Sequence, residues 1–286
     1  MRALVLSGGG CKGAYEVGAI EYLCGNLENK YDVICGVSVG ALNGSFLSQY
    51  PVGKEKLASE ALGKLWDTID DKKIYKHWFG WYLASLWKSS VYDSKPLQDL
   101  VRSKLDVKAV KNSGKKLCVG AANLVTGEYK IFDENYHDIA GAVLASSSFP
   151  GMLCPIELDG QLWTDGGVRD ITPLKAAINL GADEIDVVVC SPNFVDKSFP
   201  KKPNVLSIMK RSIEIMSDEI DRTDLNKAML YNDLVSSGVI IDKRNIPIRI
   251  IRPNHHLTNN SLDFSPKLLK EMREIGYFDA KKICSS

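Results

Sequence analysis

The first 50 residues repeat one pattern twice: a short apolar segment, a glycine-containing turn and a stretch that favours a helix. The apolar segment at residues 2–6 precedes a helix predicted over 14–27, and the segment at 32–35 precedes a helix predicted over 41–50. Two successive strand–helix units place their strands side by side and parallel, because each helix crosses back over the sheet. The pattern therefore predicts an α/β fold with a mostly parallel central sheet and helices on both faces.

The rest of the chain extends this fold without a visible linker or repeat. A mainly helical, aromatic-rich cap region is predicted over about 55–105, and Asp159–Gly160 predicts a tight hairpin turn. A long helix over about 204–233 is expected to pack along the sheet with its charges facing solvent. Other strands and helices are predicted at residues 116–124, 128–132, 173–180, 185–190, 246–253 and 266–283. We expect residues 1–286 to form a single domain.

Composition argues against several classes of protein. The 36 basic and 35 acidic side chains give a net charge of +1, so no overall field favours nucleic acid as a partner. The apolar start is too short for a signal peptide, and no apolar run reaches the length of a membrane span. The seven cysteines have no CxxC spacing and the four histidines form no zinc motif. We therefore expect reduced thiols, a cytoplasmic location and no metal site. We also expect no cofactor, unless the glycine-rich loop described next binds a dinucleotide.

The sequence SGGGCKG, residues 7–13, follows the first strand and opens the first helix. Its backbone N–H groups can converge on an anion, with the positive end of the helix dipole behind them. Gly8, Gly10 and Gly13 also satisfy the dinucleotide pattern GxGxxG, although Asp32 stands at the start of the second strand and not at its end. A glycine-rich turn without any ligand is the third interpretation, and the loop alone does not decide between them.

A second motif, GVSVG, places Ser38 between Gly36 and Gly40 at the junction of the second strand and the second helix. On such a turn a serine hydroxyl projects away from the sheet, and the flanking glycines avoid side-chain clashes. The helix start beneath Ser38 favours negative charge that develops in a transition state. A tight turn with no chemical role is the alternative, but the position at a strand–helix junction favours a nucleophile.

A nucleophilic serine needs a base, because its protonated hydroxyl is weakly reactive. None of the four histidines stands in a recognisable motif. Asp165, followed by Gly166 and Gly167, ends a predicted strand and can enter a cleft there. By itself this segment is more typical of a type I′-like turn that uses Asp-Gly for conformational reasons.

Together, the three motifs resemble those of the patatin-like phospholipase family, which comprises lipid acyl hydrolases. The segment over 145–167 is also similar to the family's sequence before its aspartate, although Ser148 stands where a small apolar residue is common. The resemblance covers about residues 1–190. The residues that carry it are Gly8, Gly9, Gly10, Cys11, Lys12 and Gly13, then Gly36, Ser38 and Gly40, and finally Asp165, Gly166 and Gly167.

The resemblance implies a Ser–Asp dyad in place of a Ser–His–Asp triad. Ser38 would attack an ester carbonyl and Asp165 would accept its proton, with no metal required. The oxyanion hole would be formed by N–H groups of the glycine-rich loop, from Gly8, Gly9, Gly10 and Cys11. The implied substrate is a phospholipid or a lysophospholipid, cleaved through an acyl-serine intermediate.

An aromatic stretch at residues 65–92 follows the second helix and contains four of the five tryptophans. Amphipathic aromatic rings suit a lipid–water interface, so Trp78, Trp81 and Trp87 are candidates for lipid contact and for peripheral membrane binding. Core packing within the helical cap explains the same residues. The sequence leaves the oligomeric state open.

Three functions of different classes remain at this stage. An acyl hydrolase explains Ser38 and Asp165 together. A dinucleotide-binding oxidoreductase would use only the N-terminal GxGxxG and would bind nicotinamide. A lipid-binding or storage protein would keep the scaffold without turnover, which the intact dyad and loop positions disfavour.

Overall fold

The computed structural model describes residues 1–78, 88–194, 202–239 and 244–285. In this part of the chain the strands are β1 (Arg2–Leu6), β2 (Val33–Val37), β3 (Lys76–His77), β4 (Tyr92–Asp93), β5 (Lys116–Asn123), β6 (Tyr129–Asp133), β7 (Ile156–Leu158), β8 (Gln161–Asp165), β9 (Glu184–Val188) and β10 (Ile248–Ile251). The α-helices are α1 (Gly13–Ile20), α2 (Val39–Leu47), α3 (Glu55–Trp66), α4 (Asp71–Ile74), α5 (Lys95–Lys104), α6 (Val107–Asn112), α7 (Ile139–Ser146), α8 (Leu174–Asn179), α9 (Val205–Ser236) and α10 (Pro266–Ser285).

Eight strands form one sheet in the order β10–β9–β1–β2–β5–β8–β7, with β6 also paired to β5. Strands β10, β9, β1, β2 and β5 run parallel, whereas β6, β7 and β8 are antiparallel to their neighbours. The remaining pair, β3 and β4, is a small separate hairpin. A mostly parallel sheet of this kind confirms the predicted fold class.

Helices cover both faces of the sheet, as the alternation along β1 shows. Leu4 and Leu6 face a core shared with α1, α2, α3 and α10, while Ala3 and Val5 face a second core shared with α8 and α9. Successive side chains of a strand point to opposite faces, so a strand that is apolar throughout must be covered twice. The buried run "ALVL" of β1 meets this requirement.

The register around β5 positions the later chemistry. Strand β2 ends at Val37, which lies opposite Gly120 of β5. Strand β8 ends at Asp165, which lies opposite the next residue, Ala121. The ends of two strands that are far apart in sequence therefore meet at one point of the sheet.

Most predicted elements are present, with differences at their ends. The first predicted helix continues past α1 to Asn26, but its last six residues form a π-helix. The predicted hairpin turn is confirmed, because Asp159 and Gly160 both have the positive φ of such a turn, 53° and 73°. Helices α3, α4 and α5 occupy much of the predicted cap region, and the single-domain organisation stays a prediction.

Candidate active site

Ser38 stands at a sharp strand-to-helix turn, immediately after β2 and at the start of α2. Its φ of 56° is strained for a residue with a side chain, and such strain is concentrated at functional sites. Glycine is needed on both sides, because a Cβ on Gly36 would collide with the carbonyl of Gly40, and one on Gly40 with the carbonyl of Leu6. The geometry is that expected for an exposed nucleophilic hydroxyl.

Two serines hold this turn, and the sequence analysis did not identify them. The Ser38 N–H donates to Ser146 Oγ at 2.9 Å, and Ser146 Oγ donates to the Gly120 carbonyl at 2.6 Å. Ser147 Oγ donates to the Ser38 carbonyl at 3.2 Å. The only signal in the sequence was the run of serines at 146–148, which gave no indication of its partner.

Asp165, at the end of β8, is 3% exposed. Its Oδ1 accepts a hydrogen bond of 2.8 Å from the Gly167 N–H. Its Oδ2 is buried and has no partner at normal hydrogen-bond geometry among the described residues. The type I′-like turn considered above is not formed, because Asp165 has φ −49° and ψ 130° and is followed by a short 3₁₀ turn.

Burial raises the pKa of Asp165 to about 6, since desolvation penalises the carboxylate. The neighbouring Ser38 hydroxyl and the Gly167 N–H stabilise the ionised form and limit the rise. Ser148, whose effect was unclear from the sequence, anchors this strand end: its carbonyl accepts from the Asp165 N–H at 3.1 Å and from Thr164 Oγ1 at 2.7 Å. An aspartate of this kind is suited to act as a general base near neutral pH.

The glycine-rich loop lies against the serine turn: a Cβ on Gly8 would come 3.2 Å from Ser38 Cβ. The N–H of Gly8 donates to the Ile171 carbonyl at 3.0 Å and the N–H of Cys11 to the Ser261 carbonyl at 2.8 Å, so both are already engaged. No partner for the N–H groups of Gly9 and Gly10 is found in the described part of the chain. Of the four loop residues expected to form the oxyanion hole, Gly9 and Gly10 are thus the two with available donors.

The other glycines of the motifs allow close packing. Gly10 has φ +60°, and a Cβ on it would collide with the Ser261 carbonyl. A side chain on Gly13 would collide with Val39 of α2, and one on Gly166 with the Gly120 carbonyl. Lys12 Nζ donates to Ser191 Oγ at 3.3 Å.

Ser38, Asp165 and the loop line one cavity of about 560 Å³. One wall is apolar and comes from α2, α3, α4 and α5. Its residues include Leu42, Phe46, Leu62, Trp66, Ile74, Leu97 and Val101. The arrangement can hold a long apolar group beside a serine and a carboxylate.

The polar part of the lining, called the polar wall below, comes largely from the C-terminal part of the chain. Arg211, Glu214 and Asp218 of α9 line it, together with His256. The expectation that the charges of this helix face solvent is therefore wrong for these residues. Its outward surface exposes apolar side chains such as Met209 and Met216 as well as the charges of Glu219 and Lys227. Nothing in the local sequence indicated this orientation, which depends on how α9 docks.

The aromatic candidates are only partly described. Trp78 donates from Nε1 to the Ser90 carbonyl at 3.1 Å and stacks under Lys88, and it is not among the residues that line the cavity. Trp81 and Trp87 lie outside the described residues. Lipid contact by the three tryptophans stays a prediction.

The structure places Asp32, the acidic residue considered for dinucleotide binding, away from the glycine-rich loop. Asp32 precedes β2 at the end of the strand away from the glycine-rich loop, and its carboxylate accepts from the Arg2 N–H at 2.9 Å. Across the described ranges, no group of three or more histidine, cysteine, aspartate or glutamate side chains could hold a metal ion. Over the same ranges, no helix has the length and apolar character needed to cross a membrane.

Comparisons with known proteins find relatives of this chain. An uncharacterised NTE family protein from Mycobacterium tuberculosis is 26% identical over 227 residues, which covers 76% of this chain and 57% of that protein. The lysophospholipase NTE1 of Cryptococcus neoformans is 23% identical over 218 residues, or 69% of this chain and 12% of the fungal protein. The crystal structure of VipD from Legionella pneumophila shares 16% identity with a TM-score of 0.47, covering 99% of this chain and 66% of VipD.

The chain thus spans little more than half the length of the mycobacterial relative. A family model described as patatin-like phospholipase matches residues 4–178, which is more than half of this chain and includes the loop, the serine turn and Asp165. The chain belongs to the patatin-like phospholipase family.

Proposed function

We propose that this protein is a serine acyl hydrolase that cleaves fatty-acyl esters of phospholipids or lysophospholipids with a Ser38–Asp165 dyad. The observation that carries the proposal is a strained serine at a helix start, in one cavity with a buried aspartate that has a free oxygen. Membership of the patatin-like phospholipase family supports the same class of reaction.

In the first half-reaction, Ser38 Oγ attacks the ester carbonyl carbon while Asp165 Oδ2 accepts the hydroxyl proton. The N–H groups of Gly9 and Gly10 stabilise the negative charge that develops on the carbonyl oxygen. When the tetrahedral intermediate collapses, the alcohol leaves with the proton from Asp165, and the acyl group stays on Ser38.

In the second half-reaction, a water molecule gives its proton to Asp165 and attacks the acyl carbonyl carbon. Collapse releases the fatty acid and returns the proton to Ser38 Oγ. With a pKa of about 6, Asp165 is ionised at neutral pH yet more basic than an exposed aspartate, as a general base should be.

The apolar wall supports a fatty-acyl chain as the group that is bound. Leu42, Phe46, Leu62 and Leu97 lie along one side of the cavity that contains Ser38. Burying an acyl chain there gains about 0.8 kcal/mol per methylene group. The name of the fungal relative, a lysophospholipase, favours a lysophospholipid among such substrates.

The test is fatty-acid release from phosphatidylcholine, lysophosphatidylcholine and a short soluble ester by wild type and Ser38→Ala. We expect the substitution to lower kcat by up to about 10⁶-fold, as in other serine hydrolases. A fluorophosphonate probe should label the wild type on Ser38 and leave the variant unlabelled.

Ser48→Ala is the matched control, because Ser48 directly follows α2, at the end of the helix away from Ser38. Its hydroxyl donates to the Gly44 carbonyl of the same helix at 2.8 Å. It should retain activity and labelling. Undiminished hydrolysis by folded Ser38→Ala protein would remove Ser38 from the mechanism.

A further inference from the structure

The polar wall of the cavity carries charges that ester hydrolysis does not use. Arg211 and Glu214 form an ion pair, with 3.6 Å between Nη1 and Oε2. Lys12 and Asp218 line the same cavity, and both are half-buried. These last two residues differ from the pair because neither has a counter-ion among the described residues.

Lys12 has a hydroxyl as its hydrogen-bond partner, Ser191 Oγ, and no ion pair with any carboxylate among the described residues. Asp218 forms neither a hydrogen bond nor an ion pair through its carboxylate within the same part of the chain. A charge that is partly withdrawn from water and left unpaired costs free energy. A ligand that supplies the opposite charge would remove this cost.

The two unpaired charges have opposite signs, and they lie in one cavity without pairing with each other. A ligand complementary to both must carry an anionic group and a cationic group. His256 adds a further polar group, because its Nε2 is buried and has no hydrogen-bond partner among the described residues. A ligand that matches these three groups is a zwitterion with polar oxygens.

We propose that this wall binds the head group of a zwitterionic phospholipid, with the phosphate at Lys12 and the ammonium group at Asp218. The inference rests on the proposed function, which places the ester at Ser38. Lys12 is two residues after Gly10 of the oxyanion loop, so a phosphate bound there lies close to the scissile ester, as in a glycerophospholipid. Asp218 follows Ser217, whose hydroxyl donates to the Gly167 carbonyl at 3.4 Å, beside the base.

The experiment compares head groups at a fixed acyl chain. Wild type, Asp218→Asn and Lys12→Gln are assayed on lysophosphatidylcholine, lysophosphatidylethanolamine, lysophosphatidylglycerol and monoacylglycerol. Lysophosphatidylcholine and lysophosphatidylethanolamine carry an ammonium group, and lysophosphatidylglycerol does not. Asp218→Asn should lower kcat/KM for the first two lipids, relative to kcat/KM for lysophosphatidylglycerol, by about tenfold, the effect of one charge-assisted contact. Lys12→Gln should lower the ratio for lysophosphatidylglycerol to monoacylglycerol by a similar factor.

Asp233→Asn is the matched control, because Asp233 is an exposed acid of the same helix outside the cavity. It should leave every ratio unchanged. Unchanged ratios in folded Asp218→Asn protein would overturn the head-group site, while continued hydrolysis would leave the proposed function intact.

If wild type releases no fatty acid from any lipid, the proposed function is wrong. The head-group site is then tested by measuring lipid binding. Ser38→Ala protein should then bind lysophosphatidylcholine more tightly than monoacylglycerol, and adding Asp218→Asn should remove the preference. Equal binding of the two lipids by Ser38→Ala protein would overturn the site.

Discussion

Asp165 and Asp186 are both buried aspartates of the central sheet, but their surroundings differ in kind. Asp186 of β9 is fully buried and is contacted by Arg249 at 2.8 Å, Arg2 at 3.2 Å and the Tyr31 hydroxyl at 2.6 Å. Asp165 accepts one backbone hydrogen bond, from Gly167, and no described cation forms an ion pair with it. One carboxylate is held by two cations, and the other is left with a free oxygen.

The difference separates a structural carboxylate from a reactive one. A buried carboxylate that pairs with two cations fixes the elements that meet at it, here β1, β9 and β10. A buried carboxylate without a cation keeps a high affinity for a proton, which is what a base requires.

Asp165→Asn should lower kcat/KM by about 10⁴-fold, because the amide cannot accept the serine proton. The substitution keeps the shape of the side chain and an oxygen for the Gly167 N–H. Hydrolysis of a soluble ester measures the effect, with circular dichroism to verify folding. Activity within a few-fold of wild type would show that the base lies elsewhere.

Asp186→Asn should act on stability. Removing the charge leaves Arg2 and Arg249 without their shared counter-ion, and we expect the free energy of unfolding to fall by about 3 to 4 kcal/mol. Urea denaturation measures it. Asp183→Asn, which changes an exposed ion-paired acid just before the same strand, should have a much smaller effect. Equal losses in the two variants would mean that burial of the cluster is unimportant.

The pH dependence of stability should report the raised pKa of Asp165. The pKa of Asp165 is raised from 3.8 to about 6 on folding, so the folded state holds its proton more tightly than the unfolded state. Wild-type stability should therefore fall as the pH rises from about 4 to about 6, by at most about 3 kcal/mol from this group. Asp165→Asn should lack this fall and be more stable than wild type at pH 8. Parallel pH profiles of the two proteins would contradict the raised pKa.

The pH dependence of catalysis should show the smallest effect. Because the ionised form of Asp165 is the base, kcat/KM should drop about tenfold per pH unit below pH 6 and level off above it. The profile is measured on a soluble ester between about pH 4.5 and about pH 8. A flat profile through pH 6 would exclude a base with this pKa.

Local sequence was sufficient where the requirement is local. A serine between glycines at a strand–helix junction can be recognised because the turn itself needs Gly36 and Gly40. Asp165 was identified only through the resemblance to the patatin-like family, because its own segment is also typical of an Asp-Gly turn. Asp186 gave no such signal. It lies within an apolar strand, and the sequence does not indicate which residues pair with its carboxylate.

Backbone conformation and apolar periodicity depend on near neighbours in the chain. The fold class, the succession of strands and helices and the residues of the three motifs could therefore be predicted from the sequence. Tertiary structure alone decided that β2 and β8 end at adjacent residues of β5, that Ser146 holds the serine turn, and that α9 turns Asp218 toward the cavity. These contacts join residues far apart in the chain. Their geometry follows from strand register and helix docking, which no single segment specifies.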